Sequence, residues 1–82
     1  MSNRQALAEA IDAAMAGRWD DAHGTCQKLE GDATADWLHA VLHKIEGDEA
    51  NSRYWYRRAG QHFESWGDPA EELKAIKAVL TY

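Results

Sequence analysis

Trp37-Leu38-His39-Ala40-Val41-Leu42-His43-Lys44-Ile45-Glu46-Gly47-Asp48 is the stretch on which the reading of the fold turns. Its apolar residues, Trp37, Leu38, Val41, Leu42 and Ile45, recur at three- and four-residue intervals, the period of an amphipathic helix. Thr34 is the expected cap, and Gly47-Asp48 ends the run, so the helix is expected from about Thr34 to Glu46. At 100° per residue from Trp37, the apolar stripe centres near about 70°, while His39, His43 and Glu46 fall at about 200°, 240° and 180°. One helix therefore carries an apolar face and a separate face bearing two imidazoles and a carboxylate.

Outward from this stretch, the same pattern repeats between glycine breaks. A first helix is expected from about Asn3 to Ala16, with Leu7, Ile11, Ala14 and Met15 on one face and Gly17 after it. A second runs from near Asp20 to Glu30, with Trp19, Ala22, Cys26 and Leu29 spaced by three or four, and ends at Gly31-Asp32. A fourth is expected from about Glu49 to Glu64, with Ser52, Trp55, Tyr56, Ala59, Phe63 and Trp66 on one side. The last begins at Asp68-Pro69, an N-cap followed by the one proline of the chain, and continues to about Thr81. Val, Ile and Thr total only eight, and no segment alternates for strand length. The expected class is all-α, with about five helices forming two antiparallel hairpins and a C-terminal capping helix.

The chain has 82 residues. Folding at this size buries roughly 63% of the unfolded surface, enough for one modest core and one domain. A net charge of −5 disfavours nucleic acid and anionic membrane as partners. No apolar run approaches the roughly 20 residues that span a bilayer. Met1-Ser2-Asn3-Arg4-Gln5 leads into Ala and Glu and lacks the pattern of a secretory leader. The single cysteine, Cys26, excludes an internal disulfide. A cytoplasmic location is expected.

Gly17 and Gly47 stand 30 residues apart, and at that offset Ala10 pairs with Ala40, Ala22 with Ser52, Cys26 with Tyr56 and Leu29 with Ala59. Each unit reads as a helix, a tight glycine turn and a second helix. Ala16-Gly17-Arg18-Trp19-Asp20-Asp21-Ala22, followed by Gln27-Lys28-Leu29-Glu30, resembles the turn and second helix of a tetratricopeptide repeat. Glu46-Gly47-Asp48-Glu49-Ala50 is similar to such a turn. Tyr54-Trp55-Tyr56-Arg57-Arg58-Ala59-Gly60 is similar to the W-Y-R-[RK]-A segment of Sel1-like repeats. The run from Trp37 to Arg58 also resembles a group of small uncharacterised bacterial proteins. The resemblance covers about residues 6 to 60. It implies a single helical-repeat domain over 1–82, with unit one at about 3–31, unit two at about 34–65 and a cap at about 69–82. In that register His39, Ala40 and His43 face the fourth helix, and Trp37, Leu38 and Val41 face elsewhere, so the third helix is expected to be covered on both sides.

Two functional readings follow. The first is an interaction module that binds a protein or peptide, including a second copy of itself. It rests on surplus aromatics, with Trp37, Trp55, Tyr56, Arg57 and Trp66 as the candidate interface, because Trp, Tyr and Arg concentrate at binding hot spots. No catalytic motif supports an enzyme, and this reading expects no cofactor. The second is a ligand- or metal-binding protein, or an enzyme, built on His39, His43 and Glu46. Asn51, Tyr54 and Arg58 complete its candidate polar site. Two imidazoles and a carboxylate on one helix face can hold a transition metal, and a histidine of tunable pKa suits proton transfer. His23 and Cys26, three apart on the second helix, are weaker ligand candidates, and a packing role is expected for Cys26.

Overall fold

A computed structural model describes residues 2–81 and shows five α-helices: α1 (Asn3–Met15), α2 (Trp19–Lys28), α3 (Ala33–Glu46), α4 (Glu49–Ala59) and α5 (Pro69–Leu80). A short 3₁₀ turn, Phe63–Ser65, lies between α4 and α5. The described residues contain no strand, so the all-α expectation holds. Met1 and Tyr82, which the expected domain and cap include, lie outside the described residues. Among the described residues, no helix is long and apolar enough to cross a membrane.

Short polar side chains start four of the helices. Ser2 accepts from the Gln5 amide at 3.1 Å, Asp48 from Asn51 at 3.2 Å, and Asp68, just ahead of Pro69, from Ala70 at 2.9 Å. The cap of α3 is Asp32 and not the expected Thr34. Its Oδ1 accepts from the amides of Thr34 at 2.9 Å and Ala35 at 3.1 Å, two donors that Thr34 could not reach from inside the first turn.

Glycines with positive φ close α3 and α4. At Gly47 (φ 88°) the Asp48 amide reaches the His43 carbonyl at 2.9 Å, and the Gly47 amide reaches Lys44 at 3.1 Å. Gly60 (φ 73°) repeats the motif, with Gln61 bonding Tyr56 at 3.0 Å. That second closure corrects the expected length of α4. The helix stops at Ala59 because Gly60 turns left-handed, although the apolar spacing runs on to Phe63 and Trp66. Those two side chains still pack on the core from the connection that follows.

α3 lies at the centre. It packs against α2, α4 and α5, and every residue from Ala35 to His43 is buried. Covering on both sides, expected from the two conflicting faces, is what lets the Trp37 stripe and the histidine face both leave water. Leu7 and Ile11 of α1, Leu38, Val41 and Leu42 of α3, and Leu73 and Ile76 of α5 form the apolar centre. Small residues set the α3–α4 approach: Ser52 Oγ donates to the Ala40 carbonyl at 2.6 Å, removing a buried hydroxyl's need for water.

α5 returns across α1 and α3. It is fastened by Glu72, whose side chain is wholly buried. The carboxylate accepts from Trp37 Nε1 at 2.8 Å, Tyr56 OH at 2.7 Å and Lys44 Nζ at 3.1 Å. Burial holds the Tyr56 hydroxyl well above its ordinary pKa, with the Glu72 carboxylate adding to the rise, so it stays a donor. Lys44 also donates to the carbonyls of Phe63 at 3.0 Å and Trp66 at 3.2 Å, pinning the connection between α4 and α5. A buried carboxylate is tolerated here because a cation and two further donors surround it.

Candidate functional site

Three helices each contribute one pair of side chains spaced four apart: Trp19 and His23 from α2, His39 and His43 from α3, Asn51 and Trp55 from α4. Four residues make just over one helical turn, so each pair projects from one face. The six side chains meet. Trp19 stacks on His23 with ring centres 4.5 Å apart, and Trp55 stacks on His39 at 4.0 Å. His39 and His43 are near-parallel at 4.9 Å, and His23 stands edge-on to both, at 4.8 and 5.3 Å. Trp19 is itself fixed by donating Nε1–H to the Leu42 carbonyl at 2.7 Å.

The polar contacts are specific. His39 Nε2 and His23 Nε2 are 3.1 Å apart, so one donates to the other. His43 Nδ1 meets Glu46 Oε1 at 2.5 Å, and His43 Nε2 meets Asn51 Nδ2 at 3.3 Å. His39 Nδ1 is buried and has no hydrogen-bond partner among the described residues. A buried polar atom left unpaired costs about 1–3 kcal/mol, so this nitrogen stands out.

The electrostatics favour uncharged rings. Burial pushes His39 down to about 4, helped by the neighbouring His23 and His43. Burial and then His43 lower His23, against a smaller upward pull from Glu46 and other carboxylates. At neutral pH both therefore present lone pairs, the form in which imidazole binds a metal. One ring nitrogen from each of His23, His39 and His43 lies within 4.8 Å of the other two. A tetrahedral ion with 2.0–2.1 Å bonds places its nitrogens about 3.3 Å apart. The His23–His39 pair already has that spacing, and the remaining closure is no more than about 1.5 Å.

The residues expected from sequence divide here. His39, His43 and Asn51 come together, and Glu46 joins them behind His43. The three residues whose ligand atoms converge are not His39, His43 and Glu46: His23 takes the third place, while Glu46 groups with His43 and the exposed Asp48. Tyr54 and Arg58 bond each other at 3.1 Å, and Arg58 lies over Trp55 and 4.0 Å from buried Asp36, outside the imidazole cluster. Cys26 is fully buried among apolar side chains, its thiol pushed up to about 12 by burial, and is not part of the site. Of the candidate interface, Trp37, Trp55 and Tyr56 are core residues, Trp66 is half-buried, and only Arg57 is exposed. Burial follows from α3 being covered on both sides, which draws these aromatics inward.

Comparison of the chain with protein-family models, curated proteins and solved structures found no match. The functional reading therefore rests on the arrangement of these side chains.

Proposed function

We propose that this chain is a small helical metal-binding domain that holds one divalent transition-metal ion through a ring nitrogen of each of His23, His39 and His43. The supporting observation is the convergence of three imidazole nitrogens within 4.8 Å, drawn from two helices. An all-imidazole set suits zinc, copper, nickel or iron and disfavours magnesium and calcium, which seek oxygen ligands. The lowered pKa values of His23 and His39 leave both rings uncharged at neutral pH, as lone-pair donors to a metal. His23 is only half-buried, which leaves an entry path for the ion.

Native mass spectrometry of the chain, with and without added zinc, tests this. The expected result is one zinc per chain, lost in His39→Ala/His43→Ala. A wild-type spectrum with no stoichiometric zinc, cobalt, nickel or copper adduct sinks the proposal.

A second reading, self-association, has one observation behind it. A groove of about 470 Å³ between α1, α3 and α5 is lined by Met15, Ile45, Pro69 and Leu73. Met15 and Ile45 are 43% and 44% exposed there, more apolar surface than those side chains leave in a packed core. Asp68 and Lys74 on the rim can pair reciprocally across a two-fold contact. The same spectra report the outcome. A dimer mass that disappears in Ile45→Glu supports this reading, and a monomer at every concentration removes it.

A further inference from the structure

Glu46 has an unexpected position. It is the last residue of α3, where the helix dipole presents partial negative charge and an anion is disfavoured. It is partly exposed, so burial does not hold it there. Its carboxylate meets His43 Nδ1 at 2.5 Å. A carboxylate can only accept, so a neutral His43 satisfies it only with the proton on Nδ1. The other nitrogen, Nε2, is then left with its lone pair, and the Asn51 amide, as oriented, donates to that lone pair. Two neighbours on different helices thus specify the same tautomer. In metal sites a ligating histidine commonly gives its second N–H to a carboxylate, which fixes the ring and raises its basicity.

We infer that Glu46 is a positioning residue, and that it holds His43 as the Nδ1–H tautomer with Nε2 offered to the metal while the Asn51 amide occupies that lone pair until an ion displaces it. This rests on the metal-binding reading above. In this inference Glu46 acts through His43 and does not ligate the ion: its carboxylate contacts His43 Nδ1, and it groups with His43 and Asp48 outside the set of His23, His39 and His43.

The test combines a stability measurement, an affinity measurement and a spectrum on Glu46→Ala. Glu46→Ala removes an anion from a helix C-terminus but also leaves the buried His43 Nδ1 without its acceptor, so the two effects oppose, and a melt of the metal-free variant serves to show that it is folded. Zinc affinity, by competition with a chelator, should fall about 10- to 100-fold. The visible spectrum of the cobalt complex should keep its band positions, because the ligands are unchanged. Nitrogen-15 spectra of the metal-free wild type should show His43 protonated on Nδ1 alone, and the variant should show a mixture of tautomers.

Each contrary result is distinct. Undiminished zinc affinity in Glu46→Ala, with wild type binding, overturns the role of Glu46 and leaves the metal site standing. A changed cobalt spectrum makes Glu46 a ligand and overturns it as a positioning residue. His43 found as the Nε2–H tautomer or as imidazolium in wild type overturns the tautomer assignment. A wild type that binds no metal overturns both this inference and the reading beneath it.

Discussion

At the scale of the residue, His39 shows how one position serves two demands. It is 3% exposed, stacked on Trp55, and in contact with two other imidazoles, so charging it inside the fold is costly. The unfolded chain protonates this side chain near 6.5, and the folded one near about 4. Between those values the unfolded state binds the extra proton, so stability falls as pH drops from about 6.5 toward 4 and is unaffected by His39 above that window. The full effect, reached below both values, is on the order of 3 kcal/mol. Urea melts of chelator-treated protein at pH 7 and pH 5 should therefore differ, with the midpoint lower at pH 5. The difference should shrink in His39→Gln. An equal difference in that variant would assign the acid sensitivity to other groups.

Among the elements, α3 has the greatest effect on the whole, because it packs against every other helix except the short 3₁₀ turn. Its cap is therefore expected to matter beyond its own first turn. Asp32→Ala removes the acceptor for two amides and should cost about 1 kcal/mol, read as a lower denaturant midpoint with unchanged slope. A change in slope would point to fraying of α3 in the native state.

The helices themselves were legible because glycine punctuation and apolar spacing agree at Gly17, Gly31 and Gly47. Periodicity alone makes α4 too long, because Phe63 and Trp66 keep the apolar rhythm past Gly60 and spacing does not register a left-handed glycine. The site was half legible. His39, His43 and Glu46 share a helix face and can be found on a wheel. His23 could not be, since it sits on another helix, and pairing it with Cys26 stayed within one helix.

A signal did exist. In an antiparallel hairpin, residues equidistant from the turn meet. His23 and His39 lie eight residues either side of Gly31, and His39 and Trp55 lie eight either side of Gly47. His43 and Asn51 lie four either side of Gly47, and Trp19 and His43 twelve either side of Gly31. All four pairs are in contact. Reading the glycines as mirror points, and not only as breaks, draws Trp19, His23 and Trp55 into the cluster beside His39, His43 and the already expected Asn51. The fate of Trp37 and Tyr56 was less accessible, because it depends on where α5 returns and on Glu72 being buried beside them.

For the whole molecule, α3 separates two polar centres. Trp37 and Lys44 project toward Glu72 and α5, and His39 and His43 project toward α2 and α4, nearly opposite on the helix. One centre ties the C-terminal helix down, and the other links the two hairpins. An ion bound only by the folded chain stabilises it by about 2.7 kcal/mol at a free concentration 100 times its dissociation constant. For a domain of this size each kcal/mol moves the melting temperature by about 4–8 °C, so zinc at that level should raise it by roughly 10–20 °C. Glu72→Gln acts at the other centre. It leaves Lys44 without its carboxylate in a buried setting and should cost about 3–5 kcal/mol. Because the two centres use opposite faces of α3 and share no side chain, their effects should add: zinc should lift the Glu72→Gln variant by about the same free energy as wild type. Denaturant melts of both proteins, with zinc and with chelator, measure this directly. A zinc increment that collapses in Glu72→Gln would mean that α3 transmits the state of one centre to the other, and that fastening α5 is a condition for a competent histidine cluster.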